Sequence, residues 1–420
     1  MINKNVNYLK KPIFYESGGK TTIAWLIYFI VYSGYLKVLF PKVSVFFVAI
    51  QMASILVGFV YIIFTKRTVI YHKVITIPIV YTVIFFAMMS FVALWTNNYS
   101  NALNKIESMA VTLIFMLILY ALGTLMETAR EYDYLFSVIV IVNIIFLLLY
   151  ITIHISNIRQ MIYAGLRGGD IDSNPIWIAR IASDTTLVIL ISKNKWKKSI
   201  NTFLILFLAF LMLFMGSRGA LVALFLSLFF YYKNEGKKKS RKILPMAITA
   251  IIISCIIFII FVFFSNTYIL QRFSLNSIFI SAPGYRVSRY LFTLQKIPEK
   301  LLYGHGLGSW AKDYWEQVPY YPIWETAQMR AIDYPHNIFL EILYDGGLLC
   351  LIPFVFIIKK ILKIKSRVIN WRYGALYYLF VANILYSLFS GSVTEGNRGI
   401  YYILAFLCGI MAKDKSLKDT

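Results

Sequence analysis

The sequence predicts an all-α polytopic membrane protein with about twelve transmembrane helices and one large external loop containing short helices. Three observations predict it. Hydrophobic residues make up 59% of the 420 and charged residues only 15%, against roughly 45–50% and about 25% in a soluble domain. The apolar residues gather in runs close to the roughly twenty residues that cross a hydrocarbon core. The 42 Lys and Arg, against 19 Asp and Glu for a net charge of +23, sit between those runs. Such a charge alone would suggest nucleic acid. Its placement excludes nucleic acid as a partner, and the composition excludes an ordinary soluble enzyme.

The first run, Thr22–Phe40, follows a polar, basic stretch without a small-residue cleavage site. It is expected to serve as its own insertion signal. Val43–Phe64, Val74–Trp95, Ile106–Met126 and Tyr134–Ile153 follow as apolar runs. Ile171–Ser192 is weaker, because it carries Arg180 and Asp184. Ile200–Met215 and Gly216–Tyr232 are short and nearly continuous about Gly216, and Ile243–Phe264 closes a first block, residues 1–264. Residues 265–335 hold no spanning run, and a connection of that length is usually functional. His336–Ile358, Tyr373–Ser390 and Ile400–Ala412 complete the last block, 336–420. Alternation from a cytoplasmic N-terminus puts every dense basic cluster, such as Lys237–Lys239, on the cytoplasmic side. Both termini are then cytoplasmic and the 265–335 loop is external. Cys255, Cys350 and Cys408 lie far apart in apolar runs and read as small buried hydrophobes, with neither a disulfide framework nor a zinc site. The histidines are scattered, and no metal site is expected.

Six constellations could carry chemistry. Gly216-Ser217-Arg218-Gly219-Ala220 stands at the turn between two runs. Its arginine reads as an interfacial snorkel or cap, or as an anion clamp whose guanidinium fork fits phosphate oxygens. Pro283 to Pro298 reads as a short amphipathic helix. Arg286, Arg289, Tyr290, Thr293 and Lys296 recur on one face and Val287, Leu291, Leu294 and Ile297 on another. Its arginines meet either lipid headgroups or a bound phosphate. Gly304-His305-Gly306-Leu307-Gly308 reads as a structural turn, since the Lys-Ser/Thr of a nucleotide loop is missing.

In Tyr334-Pro335-His336-Asn337 the proline suits a first helical turn. His336 is then at a helix N-terminus, where the dipole disfavours imidazolium. A neutral imidazole is a general base; the alternative is a bland polar end residue. Arg180 and Asp184, one turn apart, read as functional intramembrane charges or as a structural ion pair. The loop aromatics, Trp315 and Tyr334 among them with Tyr314, Tyr320, Tyr321 and Trp324, form an interfacial belt or a surface for sugar rings.

Taken together, these motifs resemble the O-antigen polymerase and O-antigen ligase family of bacterial surface-glycan enzymes. Gly216-Ser-Arg-Gly-Ala-Leu-Val-Ala-Leu looks like its Ser-Arg-Gly helix. Arg286 followed by Gly304-His-Gly-Leu-Gly looks like its loop arginine and glycine turn. Tyr334-Pro-His-Asn-Ile-Phe-Leu-Glu with Asp345-Gly-Gly-Leu looks like its His-Asn helix. The family's proline before the glycine turn is replaced here by Leu301. The resemblance implies a GT-C-like glycosyltransferase in the bacterial cytoplasmic membrane, with its active site on the periplasmic or external face. The implied donor and acceptor are undecaprenyl-diphosphate-linked oligosaccharides, polymerised with inversion into O-antigen or capsular polysaccharide, with no metal or other cofactor. Catalytic roles carry over to His336, Arg218 and Arg286, with Arg289 the near-register alternative to Arg286. Binding of diphosphate or glycan is expected of Arg289, Tyr290, Ser217, Asn337, Arg180, Trp315 and Tyr334. A chain-length regulator is a possible partner. The alternatives are a ligase delivering glycan to lipid A–core and, in a different class, a lipid-linked glycan flippase or transporter.

Overall fold

The computed structural model describes residues 13–64, 73–126, 128–154, 175–192, 196–215, 217–234, 256, 259, 282–317, 334–368, 371–394 and 396–412. The described chain is helical. In order come α1 (Ile13–Leu39), α2 (Ser44–Phe64), α3 (Lys73–Phe91), α4 (Tyr99–Leu125), α5 (Ala129–Ile153), α6 (Pro175–Ile191), α7 (Lys198–Phe214) and α8 (Arg218–Asn234). After them come α9 (Ala282–Lys296), α10 (Ser309–Gln317), α11 (Ile338–Val368), α12 (Trp371–Ser387) and α13 (Arg398–Ala412). Short 3-10 turns follow α3, at Val92–Trp95, and α9, at Ile297–Lys300.

Each expected apolar run coincides with a helix except Ile243–Phe264, which lies almost wholly outside the described residues. The protein is a multi-pass membrane protein. Among the described residues six helices are long and apolar enough to cross a bilayer: α1, α2, α3 with its 3-10 extension, α4, α5 and α11. The other described apolar helices are shorter. Helices α6, α7, α8 and α12 have 17 residues and α13 has 15. At 1.5 Å per residue, 17 residues reach only about 26 Å, short of the roughly 30 Å hydrocarbon core.

Burial separates the lipid-facing helices from the central ones. α2 buries little beyond Phe47, Ser54 and Gly58 and exposes Phe46, Leu56, Phe59 and Ile63. α13 is its opposite, with every residue from Gly399 to Ala412 buried. A helix apolar around its whole girth belongs inside a bundle, and α13 packs on α3, α4 and α12. Its contact with α4 is backbone-close. A Cβ on Gly123 would fall 2.6 Å from the Phe406 carbonyl oxygen. Such small residues let membrane helices approach. Polar ties run across the core as well: Tyr28 of α1 donates to Asn143 of α5 (2.9 Å), and Tyr35 to Asn383 of α12 (3.0 Å).

At one end of the bundle α9 and α10 fold over the start of α11. A second apolar core, Phe292, Ile297, Trp310, Tyr314 and Tyr344, holds them there. The expected amphipathic helix from Pro283 to Pro298 is present as α9 and its 3-10 extension. Cys350 and Cys408 are buried free thiols, and Cys255 lies outside the described residues.

Candidate functional site

Two backbone devices build the site. The first is a break in α11 at Gly347 (φ 62°, ψ −162°). The break leaves carbonyls and amides without helical partners, and the glycine turn supplies them. His305 N–H donates to the Tyr344 carbonyl (2.8 Å) and Gly306 N–H to that of Asp345 (2.9 Å). Leu348 and Leu349 N–H donate to the carbonyls of Leu301 (2.9 Å) and Leu302 (3.0 Å). Glycine is required for the approach, since a Cβ on Gly304 (φ 74°) would lie 2.5 Å from the Asp345 carbonyl. The turn is structural, as its sequence suggested. His305 stacks on Tyr344 (4.4 Å) and donates through Nε2 to the Lys296 carbonyl (3.0 Å).

The second device is the cap of α11. The sequence placed Pro335 in the first helical turn; the structure starts the helix later, at Ile338. Asn337 is the cap, its Oδ1 accepting from Phe339 N–H (3.0 Å) and Leu340 N–H (3.2 Å). Its Nδ2 donates to the Leu388 carbonyl (3.2 Å). The Asn337 side chain is thus committed to the fold, and its geometry lends no support to substrate binding. His336 precedes the cap in the left-handed region, with φ 64°. Among the described residues it alone has a positive φ without being glycine. Such a backbone costs about 1–3 kcal/mol and clusters at functional sites.

Around His336 the predicted residues converge. Arg286 and Arg289 both lie within electrostatic reach of its ring. Arg286 is likewise within reach of Arg289, Arg218, Tyr290 and Tyr334. Tyr334 sets its ring edge-on to His336 (4.9 Å), and Tyr290 Oη donates to the His336 carbonyl (3.4 Å). Burial first, then the two arginines, hold the His336 imidazole well below its ordinary value. The neutral ring was expected from the helix dipole; burial and neighbouring cations are the larger causes. Its Nδ1 is buried with no hydrogen-bond partner among the described residues. Burial also lowers Arg286 from the usual guanidinium range and raises the Tyr290 phenol.

The two loop arginines differ in setting. Arg289 is 2% exposed, and its guanidinium lies 5.9 Å and 6.0 Å from the ring centres of Tyr314 and Trp315. These rings therefore pack beneath an arginine, and Tyr314 belongs to the second core. Arg286 is less buried. Arg218 opens α8 and is partly exposed, with Ser217 buried beside it. No carboxylate is within electrostatic reach of Arg286 or His336 among the described residues. Nor does any cluster of His, Cys, Asp and Glu there have the makings of a metal site.

Arg180 and Asp184 do not form the expected ion pair. Arg180 donates to the carbonyls of Gly396 (2.7 Å), Ser390 (2.8 Å) and Tyr386 (3.2 Å). Asp184 accepts from Tyr386 Oη (3.0 Å).

Sequence reasoning missed the cluster one turn beyond His336. Lys105 of α4, 3% exposed, bonds Glu341 (2.8 Å) and Asp345 (3.0 Å), both fully buried. Glu341 also accepts from Ser392 Oγ (2.6 Å) and Val393 N–H (2.8 Å), and Asp345 from Gly308 N–H (2.9 Å). Two signals were available: a lone lysine ahead of an apolar run, and two acids at i, i+4 on one helix face.

Residues 203–355 match the family model described as O-antigen ligase. The match starts in α7, includes Arg218, Arg286, Arg289 and His336, and ends in α11 just past Gly347. No curated protein matches the chain.

Proposed function

We propose, on the premise that residues 203–355 form a domain of the O-antigen ligase family, that the protein is a membrane glycosyltransferase using a polyprenyl-diphosphate-linked glycan. The observation that carries the reading is that Arg286 and Arg289 lie within electrostatic reach of His336, and Arg218 within reach of Arg286, with no carboxylate in reach of Arg286 or His336 among the described residues. Arginines massed without an acid suit a polyanionic ligand, and guanidinium forks match diphosphate oxygens. In the reaction the acceptor hydroxyl attacks C1 of the donor sugar as the C1–O bond to the diphosphate breaks. The hydroxyl proton passes to the His336 ring. The electron pair of the broken bond leaves on the diphosphate, where Arg218 and Arg286 stabilise it. One displacement inverts the anomeric centre. The remaining apolar runs complete a GT-C-like bundle of about twelve spans in the bacterial cytoplasmic membrane, with this site on its external face.

The motif context favours a polymerase, in which the acceptor is a second lipid-linked repeat. The description of the matching family favours a second reading, a ligase whose acceptor is lipid A–core. Purified protein in nanodiscs, given a polyprenyl-diphosphate-linked repeat and no added metal, is expected to yield a ladder of longer products. A single product formed only with lipid A–core selects the ligase. His336→Ala and Arg218→Ala are expected to abolish transfer in folded protein. Normal transfer by both variants overturns the mechanism, and translocation without transfer makes the protein a flippase.

A further inference from the structure

We propose that Arg180 is a positioning residue, which sets His336 and Arg218 by fastening the α12–α13 turn that touches the flank of each. The inference rests on the transferase reading above and assigns Arg180 a role other than the substrate binding expected from sequence.

Arg180 is 2% exposed and lies deep between α6 and α12. Its guanidinium rests over the Trp177 ring (4.8 Å) and the Tyr386 ring (5.1 Å). All three of its hydrogen bonds go to carbonyls at the end of α12 and in the turn that follows it: Tyr386, Ser390 and Gly396. Removing the guanidinium would withdraw a buried donor from each of these carbonyls, of which that of Tyr386 keeps the Phe389 and Ser390 amides. The arrangement therefore organises backbone.

The turn so fastened is compact. Gly391 and Gly396 take φ of 91° and 75°, and Asn397 Nδ2 bonds the Ser392 carbonyl across it (2.9 Å). From this turn three contacts reach the site. The Leu388 carbonyl accepts from Asn337, the cap residue next to His336. Phe389 lies against Gly219, where a Cβ would come within 3.0 Å of it, next to Arg218. Ser392 and Val393 hold Glu341, one turn into α11. The chain segments that carry the base and the first arginine therefore meet the same few residues, and Arg180 bridges the two ends of that turn. A shift there displaces His336 and Arg218 relative to each other. Misplacement of reacting groups by about 1 Å costs on the order of 100-fold in rate.

The test uses the full chain in nanodiscs with a polyprenyl-diphosphate-linked repeat as donor. Arg180→Lys keeps the charge but loses the planar fork that spans three carbonyls. Gly396→Ala disturbs the turn from its other end, where a Cβ would meet Trp177 at 2.7 Å, without changing the Arg180 side chain itself. For each variant kcat is expected to fall about 100-fold, with donor KM within about two-fold of the parent. The rate at which diethylpyrocarbonate labels His336, read by peptide mass spectrometry on monodisperse protein, is expected to change several-fold. A raised KM with intact kcat makes Arg180 a substrate ligand and overturns the proposal, as do unchanged kcat and unchanged labelling. If Arg180→Lys does not fold, Gly396→Ala decides. If the parent protein transfers no glycan, the transferase reading fails by itself. The labelling then decides the positioning role, a several-fold change upholding it and an unchanged rate overturning it.

Discussion

Glu341 and His336 lie five residues apart in the chain, and their surroundings differ in kind. Around Glu341 opposite charges meet. Lys105 stands between two carboxylates, and Ser392, Val393 and Gly308 supply further donors. Around His336 stand Arg286 and Arg289, and no carboxylate is within electrostatic reach of the ring among the described residues. One helix start thus carries opposite charges in contact in one region and like charges in another. The contrast teaches where to look for function in a buried polar region. Opposite charges in contact fix architecture, and like charges facing one another suit a ligand of opposite sign.

That contrast can be broken by substitution. His336→Ala should have the largest effect. Losing a general base lowers the rate by about 10²–10⁴-fold, here measured as glycan transfer, while the thermal midpoint stays within error. A matching fall in stability would place His336 with the architectural cluster. Glu341→Ala should act the other way. Breaking one partner of a buried ion pair costs about 3–5 kcal/mol, to be seen as a lower midpoint and a smaller folded fraction in detergent. Replacing Lys105, Glu341 and Asp345 together by apolar residues of similar size should recover much of that loss, and failure to recover would mean the cluster does more than hold the helices.

Smaller effects sharpen the division. Gly304→Ala puts a Cβ against the Asp345 carbonyl at a φ of 74°. It should cost about 1–3 kcal/mol, lowering the midpoint in thermal melts more than the turnover of the protein that remains folded. The smallest expected change is with pH. Burial, with Arg286 and Arg289 nearby, holds His336 well below 6.5 in the folded protein. The base therefore stays neutral as pH falls through 6.5, and kcat/KM should hold level there and drop only at lower pH. The unfolded chain binds this proton first, so the same shift makes stability decline as pH falls below the unfolded value and leaves it unaffected above. A rate that halves near pH 6.5 would show an exposed, unperturbed imidazole.

Much of the bundle was legible because a bilayer demands contiguous apolar residues, and the runs around Phe47, Phe115 and Phe136 announce themselves. The short helices were less so. α13 looks like a span by composition, yet every residue from Gly399 to Ala412 is buried inside the protein. The residues gathered around His336 were legible as motifs, since Arg218, Arg286 and His336 sit in short distinctive stretches. Their mutual geometry was not, and neither was the difference between Arg286 and Arg289, which depends on two aromatic rings from α10. The lone lysine and the paired acids were visible, but not that Lys105 and Glu341 meet, since 236 residues separate them. Asn337 read as a ligand candidate because the sequence did not reveal that the helix begins one residue after it.

The break at Gly347 has a mechanical consequence. A rod that crosses a bilayer unbroken passes any tilt from one end to the other, and lipid thickness sets such tilt. Helix α11 is not such a rod. Tilt imposed on the segment below Gly347 is met first by Leu348 and Leu349, whose amides are tied to Leu301 and Leu302. The segment above is tied separately, through Tyr344 and Asp345, to the same turn. That turn therefore holds both segments at one place, and the short helical segment that starts beside His336 takes its position from it.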